Sequence, residues 1–348
     1  MKLIAMFGGA VCVALLTIPA IAADPCEGRE RYTIHYATHA FEQPFFPILE
    51  AGAKQGAADA CLDYTWTQDV DFSIASTIRR IEQAISENPD MLVVSLADPV
   101  AMRPVVETAL ASGIPVISIN VPDPAPPGER LPYLIYIGPD EYEGGVEAAK
   151  LVLAKMTPAK AVCLDSLPGH AGTGARCRGW SDTLKGAGVD SDEVDVSGGA
   201  AQAKEALLAY LRANPEADAF VTTTGDPKNF GAVSAALVEQ GKGGGKAALV
   251  TFDLTPGVIE SIKAGDTLAA IDQQPYLQGY LPAILARQYL EAGLMPGRDI
   301  LTGPGVVNAA NVNQVEQATR ARASSREGGK SAVAASVFGP GALDRCPS

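Results

Sequence analysis

From Tyr32 onward the chain alternates short apolar runs with amphipathic segments, almost without a break. Short apolar runs suit strands buried on both faces, and the segments between them place apolar residues at helical spacing. Strands are predicted at Tyr32–Ala37, Asp63–Thr67, Met91–Leu96, Pro115–Asn120, Ala161–Asp165, Ala219–Thr224, Ala248–Phe252 and Thr267–Ile271. Helices are predicted from about Pro47, over Ser73–Ser86, and over a segment ending at Gly113. Six more follow at Tyr142–Lys155, Ala175–Lys185, Ala201–Ala213, Lys228–Gln240, Gly257–Ala264 and Leu277–Ala292. Repeated strand–helix–strand units with right-handed crossovers build parallel sheets covered by helices on both faces. At 348 residues the chain is too long for one ordinary core. The expected fold class is therefore α/β, with two doubly wound parallel-sheet lobes.

The first residues read differently. Met1 and Lys2 give a positive start, Leu3 to Ile21 carries no charge, and the segment closes in Pro19-Ala-Ile-Ala-Ala23. A secretory signal peptide is predicted over residues 1–23, because its peptidase accepts small side chains at the cleavage site. The uncharged run could also span a bilayer, but its glycines, Pro19 and small-residue end favour cleavage. The mature chain is then exported to an oxidising compartment, where Cys26, Cys61, Cys163, Cys177 and Cys346 are disulfide candidates. Cys26 precedes the first strand and Cys61 the second, so both fall at the amino-terminal edge of one sheet. Cys26–Cys61 is the favoured pair, Cys163–Cys177 a second one, and Cys346 the odd thiol. An excess of 40 acidic over 27 basic residues, with no basic block, argues against nucleic acid as a partner. Three His and no CxxC pair make a metal or cofactor a poor expectation. Beyond Ala323, Ser324 to Ser331 reads as a polar, loop-like tail.

Ligands of open parallel sheets bind where strands end and helices begin. Those tips here carry His39 to Phe46, Asp98, Asn120, Asp165, the run Arg176-Cys-Arg-Gly-Trp180, Asp226, Asp253 and Asp272-Gln-Gln274. Carboxylates, amides and an arginine beside aromatics suit a neutral, hydroxyl-rich ligand. Asp98 before Pro99 and Asp226 before Pro227 are equally good helix caps. Phe45 and Phe46 could equally be core. The enzyme motifs fail: Gly241-Lys-Gly-Gly-Gly-Lys246 is followed by Ala247 where a phosphate loop needs Ser or Thr, and Gly169 to Gly174 lacks the dinucleotide order. HExxH and GxSxG are absent. His170 has no paired nucleophile in view.

Taken in order, five of these segments resemble the ribose-binding family of periplasmic solute-binding proteins, from about Tyr32 to Asn308. Gln43-Pro-Phe-Phe46 is similar to the family's Asn-Pro-Phe-Phe, whose aromatics sandwich a sugar. Ile114-Pro-Val-Ile-Ser-Ile-Asn120 resembles "IPVITLD", and Gly172-Thr-Gly-Ala-Arg-Cys-Arg-Gly-Trp180 resembles "GTSAARERGEGF", which puts Arg178 on the sugar-binding arginine. Leu249 to Gly257 resembles "VVGFDGTPD", with Asp253 as a binding carboxylate, and Ala269 to Pro275 resembles "ATIAQLP", with Gln273 in the site. The resemblance implies a ligand site formed by Gln43, Phe45, Phe46, Asp98, Asn120, Arg178, Asp226, Asp253 and Gln273. The family's Asp-Arg pair falls on Asn120-Val121 and its second-lobe Asn on Gly225, beside Asp226. These substitutions widen the ligand class to other monosaccharides, polyols or a sugar-like signal. The resemblance further implies a first lobe of residues 24–139 with 273–303, a second of 140–272 with 304–320, and a tail of 321–348. The implied function is a monomeric receptor that delivers a sugar or polyol to an ABC permease in the inner membrane. A ligand-presenting sensor for a membrane receptor, or a secreted hydrolase using Asp253 or His170, are the alternatives.

Overall fold

The computed structural model describes residues 26–39, 44–68, 73–126 and 128–327. The predicted signal peptide, Gln43 and Cys346 lie outside the described residues. The chain forms two compact units, residues 1–30 and 31–348. In the first, the Arg29 N–H donates to Cys26 O at 3.1 Å, and Cys26 is disulfide-bonded. The regular elements belong to the second.

In chain order the first ten elements are β1 (Tyr32–Thr38), α1 (Phe45–Asp59), β2 (Leu62–Gln68), α2 (Ile74–Ser86), β3 (Met91–Ser95), α3 (Pro99–Ala111), β4 (Val116–Ile119), β5 (Tyr136–Pro139), α4 (Glu141–Lys155) and β6 (Ala161–Asp165). Then come α5 (Ala171–Gly186), β7 (Ser191–Asp195), α6 (Ala200–Ala213), β8 (Ala219–Thr222), α7 (Pro227–Glu239), β9 (Ala248–Phe252) and α8 (Pro256–Ala264). The last are β10 (Ala269–Asp272), α9 (Pro275–Ala292), β11 (Ile300–Gly303), β12 (Gly305–Asn308) and α10 (Val312–Glu327).

Two six-stranded sheets result, ordered β11-β5-β4-β3-β1-β2 and β12-β10-β9-β8-β6-β7. Apart from the edge strands β11 and β12 the two orders are the same. The first sheet is parallel throughout, whereas β12 runs antiparallel to β10. That one reversal departs from the all-parallel expectation. It arises because only Pro304 separates β11 in the first sheet from β12, so the chain enters the second sheet at the carboxyl end of β10, where Asp272 pairs with Gly305, and runs back along it. The chain passes between the sheets three times, after β5, after β10 and between β11 and β12.

The apolar runs are continuous because both sheet faces are covered. Met91 and Val93 pack with Leu49 and Ala53 of α1 on one face, and Leu92 and Val94 with Ile81 and Met102 on the other. The second sheet does the same, with Val162 and Leu164 facing α6 and α7, and Ala161 and Cys163 facing Trp180 of α5. Each lobe also contains a helix pair in backbone contact. A Cβ on Gly279 of α9 would stand 1.9 Å from Leu49 O of α1, and one on Gly145 of α4 would stand 2.0 Å from Arg176 O of α5. Any side chain there would push the pair apart.

The elements absent from the expectation were those with weak apolar signals. β7 reads Ser-Asp-Glu-Val-Asp and is an edge strand bonded only to β6, so it need not be apolar. β5, β11 and β12 are four residues each and carry glycine or proline. The helix α10 runs to Glu327, four residues past Ala323 into what was expected as a loop-like tail.

Candidate functional site

Both sheets reverse their strand order between their first and third strands, β1 and β3 in one and β6 and β8 in the other. Loops leaving such adjacent tips part to opposite faces and leave a crevice. A cavity of about 350 Å³, part of it open to solvent, lies there, lined from both sheets by His39, Phe45, Phe46, Asn120, Leu167, His170, Thr173, Arg176, Thr224, Asp253 and Gln273.

The first-lobe wall is aromatic. Phe45 and Phe46 open α1 and meet edge to face with centroids 5.2 Å apart. His39, just after β1, sets its ring edge against Phe46 at 5.2 Å. Its Nδ1 lies 2.7 Å from Ser95 Oγ at the tip of β3.

The second-lobe wall is charged. Arg176 of α5 donates through Nε and Nη2 to both carboxylate oxygens of Glu141, at 2.6 and 2.8 Å, and through Nη1 to Thr223 O at 2.5 Å. Its guanidinium also lies over the Phe252 ring at 4.3 Å. Three of a guanidinium's five N–H groups are thus engaged, leaving donors for the cavity. Burial raises the Glu141 carboxyl above its usual range, opposed by the charge and hydrogen bonds of Arg176. Burial likewise raises Asp253, with Arg176, the Gln273 amide and the Gly225 N–H acting against it.

Asn120 and Asp253 occupy equivalent tips, after β4 and β9, and both are left-handed, at φ 65° and 67°. Asn and Asp tolerate that region better than other side-chain-bearing residues, and it bends each chain end toward the crevice. Gln273 joins them. Its Nε2 donates to Asp253 Oδ1, and its Oε1 is 3.5 Å from Asn120 Nδ2. The crossovers are stitched beneath, where Gln278 Nε2 and Thr302 Oγ1 both donate to Gln273 O at 2.8 Å.

Two histidine rings also meet across the crevice. His170 caps α5, its Nδ1 accepting from Gly172 N–H at 3.1 Å and Thr173 N–H at 3.3 Å. A neutral His170 therefore carries its proton on Nε2, which is 3.3 Å from Nε2 of His39. His39 accepts there and donates from Nδ1 to Ser95 Oγ. Burial drives His39 down to about 4, and it drives His170 well below its ordinary value, helped by the charges of His39 and Arg176.

Of the residues expected in the site, Phe45, Phe46, Asn120, Asp253 and Gln273 line the cavity. Asp98 and Asp226 do not. Asp98 accepts from Val100 and Ala101 N–H and Asp226 from Lys228 and Asn229 N–H, each capping a helix with Pro at its first position. Arg178 stands on the exposed face of α5, and Arg176 is the arginine at the cavity. Two residues along a helix turn the side chain through about 200°. The buried stripe Gly172, Arg176 and Gly179 carries the helical period that would have chosen correctly. His39, Leu167 and Thr224 were missed because none matches a family motif by identity, and Thr173 was missed although it matches the Gly-Thr that opens its motif. Cys163 of β6 is bonded to Cys177 of α5, with Cα atoms 5.6 Å apart, and Cys61 is also disulfide-bonded.

Comparison with known proteins agrees with this architecture. A family profile described as "Periplasmic binding protein domain" matches residues 34–294. The xylose/arabinose-binding protein XylF of Sulfolobus acidocaldarius is 29% identical over 310 residues, covering 84% of this chain and 75% of the relative. The D-ribose/D-allose-binding protein of Pseudomonas aeruginosa is 26% identical over 272 residues, 75% of this chain and 82% of its own. The crystal structure of a carbohydrate transporter from Acidothermus cellulolyticus in complex with myo-inositol superposes with a TM-score of 0.74. It is 27% identical and covers 84% of this chain and 99% of that one.

Proposed function

The chain belongs to the periplasmic binding protein family, and on that premise we propose that it is the solute receptor of an ABC importer, binding a monosaccharide or polyol between its lobes. The observation that carries this is the pairing of walls across the cavity. Phe45 and Phe46 face it from one sheet, and Arg176 and Asp253 from the other. An aromatic face suits the C–H side of a ring, while a carboxylate and a guanidinium take its hydroxyls in opposite senses. The relatives that bind xylose, arabinose, ribose, allose or myo-inositol support this ligand class.

On this reading the first lobe comprises residues 24–139 with 273–303 and the second 140–272 with 304–320, hinged at the three crossovers. Closure traps the ligand and presents the closed form to an inner-membrane permease. The mature protein is periplasmic, freed of residues 1–23, and carries a Cys26–Cys61 bridge beside Cys163–Cys177. It acts as a monomer and uses no metal, cofactor or nucleic acid. The hydrolase alternative would require His170 or Asp253 to move protons. His170 Nδ1 is committed to two backbone N–H groups and Asp253 to Gln273, which favours binding over catalysis.

A thermal-shift panel of xylose, arabinose, ribose, allose, galactose and myo-inositol tests the reading. A ligand at 100 times its Kd stabilises the folded state by about 2.7 kcal/mol. At least one member should raise Tm by several degrees, with titration calorimetry giving one site per chain. A panel without any shift would overturn the assignment.

A further inference from the structure

Two adjacent threonines leave β8, and only the first has a structural task for its hydroxyl. Thr223 Oγ1 accepts from Ser166 N–H at 3.0 Å and donates to Asp165 Oδ1 at 3.1 Å, holding the loop that leaves β6. Thr224 is 4% exposed and lines the cavity, yet its Oγ1 has no hydrogen-bond partner among the described residues. Its carbonyl is satisfied separately, since Thr224 O accepts from Thr251 Oγ1 at 3.3 Å. A buried hydroxyl left unpaired costs about 1–3 kcal/mol. Packing gives no reason to keep it. In the first lobe, where Asp98 corresponds to Asp226, the position equivalent to Thr224 is Leu96, which is wholly buried and apolar.

The neighbouring residue closes the alternative. The family's polar second-lobe residue would fall on Gly225, but a Cβ there would stand 2.6 Å from Phe252 O and 3.1 Å from Asp253 O. Those are backbone atoms that cannot swing aside, so this strand tip cannot carry a side chain at position 225. The nearest side chain able to reach the cavity from the same tip is Thr224. We propose that the Thr224 hydroxyl is a ligand contact, pairing with one hydroxyl of the bound sugar or polyol and setting which stereoisomer is preferred. The proposal rests on the sugar-receptor reading. A hydroxyl both donates and accepts, so it can complete a ligand hydroxyl that Asp253 or Arg176 already holds from another side.

Calorimetric titrations of wild type, Thr224→Val and Thr224→Ser test it, using the tightest sugar of the panel and its monodeoxy analogues. Val replaces the hydroxyl by a methyl group at nearly constant shape. Thr224→Val should bind the parent sugar about tenfold more weakly, and Thr224→Ser within about threefold of wild type. One monodeoxy analogue should bind wild type and Thr224→Val equally, which identifies the hydroxyl that is read. The ligand-free Tm of Thr224→Val should be no lower than that of wild type, because an unpaired polar group has been removed. Thr224→Val matching wild type for every sugar overturns the proposal, as does an equal loss for the parent and all its deoxy forms. Wild type binding none of the sugars overturns the receptor reading, and this inference with it.

Discussion

The two lobes share a strand order, and equivalent tips do the same structural work in each. Asp98 and Asp226 both cap a helix that begins with proline. Ser95 and Thr223 both tie down the loop leaving the strand at the switch point. Asn120 and Asp253 both turn left-handed. What differs is the chemistry turned toward the cavity. The first lobe offers His39, Phe45 and Phe46, neutral and ring-shaped, while the second offers Arg176, Asp253 and Thr224. An aromatic face presents an area and tolerates small displacements, whereas a charge-assisted hydrogen bond presents a direction and does not. The second wall is braced accordingly. Arg176 is clamped by Glu141, the next residue is bonded to β6 through Cys163, and Gly145 brings α4 into backbone contact with the same turn of α5. Structural roles are duplicated between the lobes, and the chemistry facing the cavity is divided.

Removing the clamp is the strongest way to break this contrast. Glu141→Ala leaves a buried guanidinium without its counter-charge, an arrangement that costs about 3–5 kcal/mol. Urea unfolding of the ligand-free protein should show a loss in that range, together with sugar affinity weakened at least tenfold. A loss below about 1 kcal/mol would mean that the second wall stands without the ion pair.

Acid acts next, on the contact between the walls. The unfolded His value is about 6.5, and burial lowers that of folded His39 to about 4 and also lowers His170. A base with a depressed folded value is stabilising when neutral, so its contribution is complete above pH 6.5 and is lost as pH falls toward 4. For His39 the span amounts to about 3 kcal/mol, at 1.36 kcal/mol per unit. Glu141 and Asp253, raised by burial, act in the opposite sense and soften the slope. Protonating His39 also sets two N–H donors against each other across the crevice. Stability measured by urea unfolding should fall between pH 6.5 and 4, and His39→Gln with His170→Asn should remove most of that fall. Asn keeps the helix cap, so the pair of changes tests the protons and not the helix. An unchanged slope in the double variant would place the acid sensitivity elsewhere.

The contrast between lobes also marks what could be seen in the sequence. Doubly buried strands such as Met91–Ser95 and Ala248–Phe252 were legible because covering both faces leaves each with four apolar residues in five. β7 was not, because an edge strand facing solvent can be Ser-Asp-Glu-Val-Asp and still satisfy its backbone. Within the site, residues whose side chains follow directly from a strand tip, Asn120 and Asp253, could be placed by motif alone. Arg176, whose place depends on helix phase, and the His39–His170 pair, which needs both lobes, could not. His39 and His170 lie 131 residues apart, and no local pattern announces that their rings meet. Asp98 and Asp226 satisfied two readings at once, and only the observed bonds to helix N–H groups decide for capping.

The smallest expected effect sharpens the comparison most finely, because it separates two arginines in one helix. Arg176 and Arg178 share a motif, but the first is 4% exposed against Glu141 and the second faces solvent. Near Arg178 lie Glu193 and Tyr142, and its positive charge favours the ionised form of each from outside the crevice. A charge on that face interacts through water and is screened by salt, so it has little influence on a ligand inside. Arg178→Lys and Arg178→Ala should bind the best panel sugar within about twofold of wild type, with stability unchanged to within about 0.5 kcal/mol. Arg176→Lys is the matching control. Lysine keeps the charge but presents no planar fork, so it cannot hold both Glu141 oxygens and face the cavity together. Its affinity should drop at least tenfold. If instead the Arg178 variants lose binding and Arg176→Lys keeps it, the face of α5 turned toward the ligand has been misassigned, and the charged wall with it.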